Sequence, residues 1–225
     1  MNNLIFCSAS FHIKHVNNDL RENEYYFCIQ QLLRFLPKNF EIVICDNTIK
    51  TIDNIKNNNL KNILSKVKFL ILNKNIGESN IGMGELDELI HVSNNIDFNK
   101  YDKIVYMTLR KIVTTPWVFE KANNMTKNAL ISNPEFLHLD SNYNFKYNTP
   151  TPFLYNDMFF ALSSKLMLEY VNYSKEHINF NLKNSIGSEQ NLYKFINENK
   201  IEYEWLKCLG FIRIDYKAKN EIQLI

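Results

Sequence analysis

Four short apolar runs, each giving way to polar residues, constrain this chain more than any other feature. They occupy residues 4–7, 40–45 (FEIVIC), 67–72 (VKFLIL) and 102–107 (DKIVYM), and stretches of helical period separate them. The later three are dense in aliphatic and β-branched residues rather than alternating, as strands buried on both faces of a parallel sheet are. Polar residues that follow such strands emerge together at the sheet's C-terminal edge, where open α/β sheets bind ligands.

The intervening stretches supply the helices. Tyr25, Cys28, Ile29, Leu32, Leu33 and Leu36 recur at three-and-four spacing over residues 22–36, a helix closed by Pro37 and Asn39. Residues 50–66 predict a polar amphipathic helix, or a pair broken at Asn57-Asn58-Asn59. After the third strand come Gly77, Gly82 and Gly84, then a stripe of Leu86, Leu89, Ile90 and Val92, with Glu85, Asp87 and Glu88 in the early turns where a helix dipole favours acids. Pro116 suits the first turn of a further helix capped by Thr114 or Thr115.

Beyond Ala129 the pattern changes to short apolar runs, aromatic residues and two Thr-Pro pairs, predicting antiparallel strands at 136–139 and 157–162 with an irregular loop. Ser163 or Ser164 caps one later helix and Ser188 another, the latter burying Leu192, Phe195 and Ile196; FIRIDY at 211–216 reads as an edge strand. The expected architecture is a three-layer α/β/α sandwich with a mainly parallel central sheet, in a single domain over residues 1–225.

Composition narrows the function. Lys and Arg number 26 against 24 Asp and Glu, a net charge of +2 with the signs interleaved, which argues against a nucleic-acid binder. Cys7, Cys28, Cys45 and Cys208 show no CxxC spacing, and three sit in apolar runs, so buried free thiols in a reducing compartment are expected. No apolar run reaches the roughly 18 residues that span a bilayer, and the start lacks a secretory pattern. A cytoplasmic protein is expected, with Lys61, Lys66, Lys68 and the basic segment 207–219 leaving room for peripheral attachment to a membrane face.

Several residues stand where chemistry is done. Asp46, directly after the second strand, suits a ribose hydroxyl or a base NH, and equally a cap on the next turn. Gly77, Gly82 and Gly84 match neither the dinucleotide fingerprint nor the phosphate loop; they allow a tight turn or close approach to a ligand. Thr108, Arg110 and Lys111 emerge after the fourth strand with cations suited to a diphosphate, Arg110 serving otherwise as a salt-bridge partner. His12 and His15 lie in the first loop, facing a ligand or solvent. His138 and Asp140 alternate along a strand, but two ligands do not make a metal site. Glu189, in a first helical turn, is held well enough for a general base and is equally favoured there by the dipole.

In order, CDNT at 45–48, NKNIGESNIGMGELDELI at 73–90, YDKIVYMTLRKIV at 101–113, NDMFFALSSKLM at 156–167 and SEQNLYKFI at 188–196 resemble the nucleotide-diphospho-sugar transferase fold of GT-A glycosyltransferases. The chain looks most like small bacterial enzymes that decorate lipooligosaccharide or capsule. The resemblance implies that residues 1–129 bind a UDP-, GDP- or CMP-sugar and residues 130–225 a glycan or lipid-linked acceptor. It assigns Asp46 to the donor's uracil or ribose, Gly77, Glu78 and Gly84 to the donor side, and Glu189 or Asp157 to the acceptor's proton.

Such enzymes usually carry a DxD at the fourth strand's end to hold a divalent ion. Here that place reads Thr108-Leu109-Arg110. Either Arg110 and Lys111 neutralise the leaving diphosphate without metal, or the donor binds differently, or catalysis is lost. For an active enzyme the resemblance implies direct displacement at the anomeric carbon with inversion. Two other classes compete: a nucleotidyltransferase, which wants a glycine- and basic-rich loop after the first strand where CSASFHIKH has no glycine, and a non-catalytic glycan-assembly module, favoured by the missing acid pair.

Overall fold

β1 (Asn3–Ala9) is the strand on which the others are laid. All seven of its residues are buried, and it pairs in parallel with β2 (Phe40–Asp46) on one side and β4 (Lys103–Thr108) on the other. The computed structural model describes residues 2–14, 16–78, 80–132, 136–139, 145–148, 155, 158–215 and 221–224. Adding β3 (Lys68–Ile71), β6 (Ala129–Ser132), β9 (Phe159–Ser163) and β10 (Tyr203–Leu206) gives a seven-stranded sheet in the order β10-β6-β9-β4-β1-β2-β3. Only β9 runs against its neighbours, so the other six strands end on the same edge.

Alternation along β1 builds the layers. Ile5, Cys7 and Ala9 face a core shared with α1 (Asn18–Phe35), α2 (Asn58–Leu64) and α4 (Trp117–Asn123). Leu4 and Phe6 face a second core shared with α3 (Ile81–Asn95), α5 (Ser164–Lys183) and α6 (Ser188–Glu198). Each fully buried Leu, Ile or Phe stabilises by about 1.5–3 kcal/mol, and apolar side chains on both faces leave a central parallel strand nowhere else to go. The result is the expected three-layer sandwich.

A second sheet stands beside the strand-end edge. β5 (Ile112–Val113) follows β4 almost directly and begins an antiparallel sheet with β11 (Phe211–Asp215), β12 (Glu221–Leu224), β7 (Phe136–Leu139) and β8 (Phe145–Asn148), in the order β5-β11-β12-β7-β8. Val113 and Phe211 tie it to the first core, where the Phe211 ring lies 6.0 Å from that of Phe159 and 6.5 Å from that of Phe119. The segment read as an edge strand therefore lies inside a sheet. The partner covering one side, β5, is only two residues long and leaves no periodic trace.

Local signals held in most places. Asn57 caps α2, its Oδ1 accepting from the Leu60 N–H at 2.9 Å, and a single helical turn at Ile52–Asn54 precedes the break. Pro116 itself is the N-cap of α4, where Thr114 or Thr115 was expected, and Thr115 Oγ1 one residue earlier accepts from the Trp117 N–H at 3.3 Å. The strand placed at 157–162 is β9, starting at Phe159. Ser188 is not a cap: Gly187 holds that position, and Ser188 is the buried first residue of α6. Cys7, Cys28 and Cys45 are buried and Cys208 exposed, all as free thiols. Among the described residues no helix is long and apolar enough to cross a membrane.

Two glycines are fixed by packing. The turn at Ile76–Glu78 lies on the start of α3, so that a Cβ on Gly84 would stand 2.8 Å from Gly77 Cα and 3.1 Å from Asn47 Nδ2. A Cβ on Gly82 would stand 2.5 Å from the Ser188 nitrogen and 2.6 Å from its Oγ. Real Cβ atoms do not come so close to backbone, so the turn, α3 and α6 meet only because these side chains are absent. Gly84→Ala is expected to cost about 1–3 kcal/mol through overpacking, read as a lowered urea midpoint; an unchanged midpoint would show that the turn is not held against the helix.

Candidate functional site

The loop after β1 is fixed by side chains rather than by its own sequence. β1 and β2 run in register with Ala9 opposite Asp46, so the chain leaving β1 passes directly over the Asp46 carboxylate. One oxygen accepts from the Phe11 N–H at 2.6 Å; the other accepts from the N–H groups of Thr48 at 2.7 Å and Ile49 at 2.8 Å and from Thr48 Oγ1 at 2.9 Å. Burial pushes this carboxyl up in pKa, and the hydrogen bonds from Phe11, Thr48 and Ile49 oppose that rise. Asp46 is fully enclosed. Of the two roles its position suggested, the geometry displays the cap, and Asp46 acts on the site through the loops it holds.

The same loop is tied at three further points. The His12 N–H donates to Thr48 Oγ1 at 2.9 Å, and its ring Nε2 lies 2.6 Å from buried Glu22. Glu22 also accepts from the N–H groups of Lys56 and Asn57, at 2.9 and 2.7 Å, so one carboxylate of α1 joins the loops after β1 and β2. Arg21 Nε donates to the Ser10 carbonyl at 2.5 Å, and the Ser10 N–H donates to Tyr25 OH at 2.9 Å. Lys14 and Glu78, both exposed, pair at 3.2 Å and bridge this loop to the turn after β3.

On the helix side stands a group of acids. Glu88, one turn past Gly84 on α3, is fully buried, accepts a short hydrogen bond from Ser8 Oγ, and has its Oε1 without a hydrogen-bond partner among the described residues. Burial pushes its carboxyl well above the ordinary range; the Ser8 bond opposes this, while Asp46, Glu85 and Asp87 add to it. Burial thus favours the protonated form of Glu88. Beside it Ser188 Oγ donates to Glu85 at 3.3 Å, and Asn80 Nδ2 donates to the Ile186 carbonyl at 3.0 Å, which brings the start of α6 against the start of α3. Glu189 is exposed in the first turn of α6, close enough to Gly187 that a Cβ there would meet its Oε2 at 2.8 Å.

The cations that follow β4 part company. Along β5 the side chains alternate, and Arg110 goes with Ile112: both line a cavity of about 320 Å³ with Leu20, Glu24 and Phe27 of α1 and with Ile212. Lys111 goes with buried Val113 and is itself only 5% exposed. Burial, then the positive charges of Arg213 and Arg110, lower the Lys111 pKa to about 7. Thr108 ends β4 with its N–H donating to the Met158 carbonyl at 3.1 Å and its Oγ1 buried without a hydrogen-bond partner among the described residues. Arg110 and Lys111, expected to act together on one diphosphate, thus serve opposite faces of one short strand.

Among the described residues a divalent cation finds no donor set at the end of β4. Leu109 points into the core, Thr108 and Arg110 offer no carboxylate, and no group of three or more His, Cys, Asp or Glu among the described residues is arranged to hold a metal ion. Asp157, and the side chains of His15, His138 and Asp140, lie outside the described residues.

A mainly parallel seven-stranded sheet between helical layers, with its loops converging on one edge, is the nucleotide-diphospho-sugar transferase fold in a GT-A-like form. Among solved structures it is similar to a protein described as a nucleotide-diphospho-sugar transferase from Desulfovibrio desulfuricans G20, at 12% identity over 92% of this chain and 80% of that one, with a TM-score of 0.55. It is equally similar to 4-diphosphocytidyl-2C-methyl-D-erythritol synthase from Anaerococcus prevotii DSM 20548, at 12% identity over 92% and 88% of the two chains and a TM-score of 0.55. HddC from Yersinia pseudotuberculosis matches at 15% identity over 97% and 98%, with a TM-score of 0.53. At these identities the likeness is one of fold. No family model and no curated protein matches the sequence.

Ser8, Glu22, Glu88 and Arg213 are the site-shaping residues that sequence reasoning missed. Glu88 looks no different from Glu85 and Asp87 in a helix written with acids, and only its place one turn after a glycine hints that its face is buried. The raised pKa of Glu88 carries a pH signature. Because its folded pKa is raised, the stability it allows is fully present below the unfolded carboxylate range and is lost as pH rises toward the folded value. Glu88→Gln cannot ionise, so its melting temperature should exceed that of the parent by a margin that widens from acid through neutral to alkaline pH; a constant or shrinking margin would contradict the raised pKa.

Proposed function

We propose that the protein is a nucleotide-sugar-dependent glycosyltransferase that moves a sugar from a UDP-, GDP- or CMP-sugar to a hydroxyl of a glycan or lipid-linked acceptor in surface polysaccharide or lipooligosaccharide synthesis. The observation that supports this reading best is a nucleotide-diphospho-sugar transferase fold whose β1 loop is held rigid over the strand ends by Asp46, with buried Lys111 at the end of β4. Preorganised loops of this kind bind without paying ordering entropy at the moment of capture. In this reading the nucleoside lies on the loop after β1, and the diphosphate lies toward Lys111.

The chemistry follows from that placement. The acceptor oxygen bonds to the anomeric carbon as the bond from that carbon to the diphosphate oxygen breaks, and the departing nucleoside diphosphate takes the electron pair. A carboxylate receives the acceptor's proton, and Lys111 stabilises the charge growing on the leaving group. Glu189 is the carboxylate we assign to the proton, being solvent-accessible on a rigid helical turn beside α3. Asp157 is the other candidate. Arg110, turned toward α1, acts on the diphosphate only through its field.

Nucleotidyl transfer is the second reading, favoured by the likeness to 4-diphosphocytidyl-2C-methyl-D-erythritol synthase. The two differ in what they release, nucleoside diphosphate from a nucleotide-sugar or pyrophosphate from a nucleoside triphosphate and a sugar phosphate. Calorimetric titration with UDP-, GDP- and CMP-sugars, with and without manganese, should find a donor that binds without metal; binding by none of them would reject the transferase. Glu189→Gln should keep donor affinity and lower sugar transfer by about a hundredfold or more, whereas undiminished turnover would remove Glu189 as the base.

A further inference from the structure

The cavity of about 320 Å³ that Arg110 and Ile112 line takes no part in the chemistry proposed above. One of its walls is α1, whose Leu20, Phe27 and Cys28 lie seven and eight residues apart and so share a helix face. The other is the second sheet, where Ile112 and Ile212 are directly opposed on β5 and β11 and project from the same side. The two walls stand apart, and Leu20 and Phe27 are left 59% and 45% exposed. A concave surface of apolar side chains with a few polar groups among them is how small-ligand pockets are built.

Arg110 supplies the charge. It is the middle residue of a three-residue turn closed by the Lys111 N–H on the Leu109 carbonyl at 2.7 Å, which fixes its backbone where β4 gives way to β5. Arg110 is half-buried and, among the described residues, makes no hydrogen bond and no ion pair. Glu24 also lines the cavity but is not paired with it. A free guanidinium in apolar surroundings is met best by an anion that accepts two parallel hydrogen bonds, as a phosphate does. The carboxylate of Glu24 repels such a group and so directs it to the Arg110 side.

We propose that this cavity binds a single-chain lipid phosphate, with the hydrocarbon between α1 and the second sheet and the phosphate on Arg110. The cavity lies at the strand-end edge, since Arg110 follows β4 and Leu20 stands in the first turn of α1. In the glycosyltransferase reading above, on which this use of the site rests, the bound lipid phosphate is the anchor of the acceptor, and Arg110 selects acceptor rather than donor. A second copy of the chain fits less well: the five apolar side chains of the walls fall far short of the roughly 20–30 residues a side of a stable interface.

The probes are n-butyl and n-octyl phosphate, titrated by calorimetry into the full chain below their micelle concentrations, with inorganic phosphate as the head alone and n-octyl glucoside as the chain on an uncharged head. Octyl phosphate should bind more tightly than butyl phosphate by about tenfold or more, for four further buried methylenes. In Arg110→Gln its affinity should fall about tenfold or more, while that of octyl glucoside stays as in the parent. Phe27→Ser should weaken both octyl ligands, and Glu24→Gln should tighten octyl phosphate alone. Circular dichroism checks that each variant is folded. A folded Arg110→Gln with parental affinity for octyl phosphate would overturn the site, as would inorganic phosphate bound as tightly as octyl phosphate. A dimer in sedimentation that Phe27→Ser dissociates would give the face to a second copy and also overturn it. A parent that binds octyl phosphate but no nucleotide-sugar keeps the lipid-phosphate site and loses the transferase; the converse keeps the transferase and loses the site.

Discussion

A carboxylate sealed inside the protein at the end of β2 sets the shape of everything above it. Removing Asp46 from water would cost several kcal/mol if its oxygens were left bare. They are instead filled by three backbone N–H groups and a hydroxyl from two different loops. The requirement works in both directions: the buried charge needs those donors, and the donors, which no regular strand or helix would satisfy, need the charge. The loop after β1 therefore has one position relative to the strand ends, and Glu22 repeats the device one layer out by gathering His12, Lys56 and Asn57.

Charge is divided across the strand-end edge. Acids gather on the α3 side, where burial raises the Glu88 carboxyl in pKa and Glu85 is hydrogen-bonded to Ser188. Cations gather on the side of the second sheet, where Lys111 and Arg213 stand together. Such an edge has a sense of direction for an anionic ligand, whose phosphates are drawn to one side and whose uncharged parts are left over the other. Burial shifts the two in opposite senses, raising the carboxyl of Glu88 and lowering the ammonium of Lys111.

The first half of the chain was legible because its determinants are local. Four short apolar runs forced a parallel sheet, the stripe through Tyr25, Cys28, Ile29 and Leu32 forced α1, and Asn57 and Pro116 marked helix starts that the structure keeps. The site was less legible because its determinants are not local. Arg110 and Lys111 are neighbours in sequence and so looked like one clamp, yet a two-residue strand is enough to send them to opposite faces. Ser188 had the composition of a cap, but Gly82 lets α6 approach so closely that its hydroxyl is needed for Glu85. Gly77 and Gly84 read as a tight turn or as room for a ligand, and are room for each other. The second sheet escaped for the plainest reason: β5 is two residues long and its partner lies almost a hundred residues away.

That separation gives the cation pair a history as well as a position. Contacts between distant segments form only after the entropy of closing the intervening chain has been met. A partly folded molecule with β1 to β4 assembled would already display the loop that Asp46 holds, but Lys111 would still lack Arg213. The surroundings of Lys111 are then a property of the finished fold, and the pairing of β5 with β11 joins two stretches of chain synthesised far apart in time. By mass action, anything that bound only the completed pairing would stabilise the docking of the second sheet.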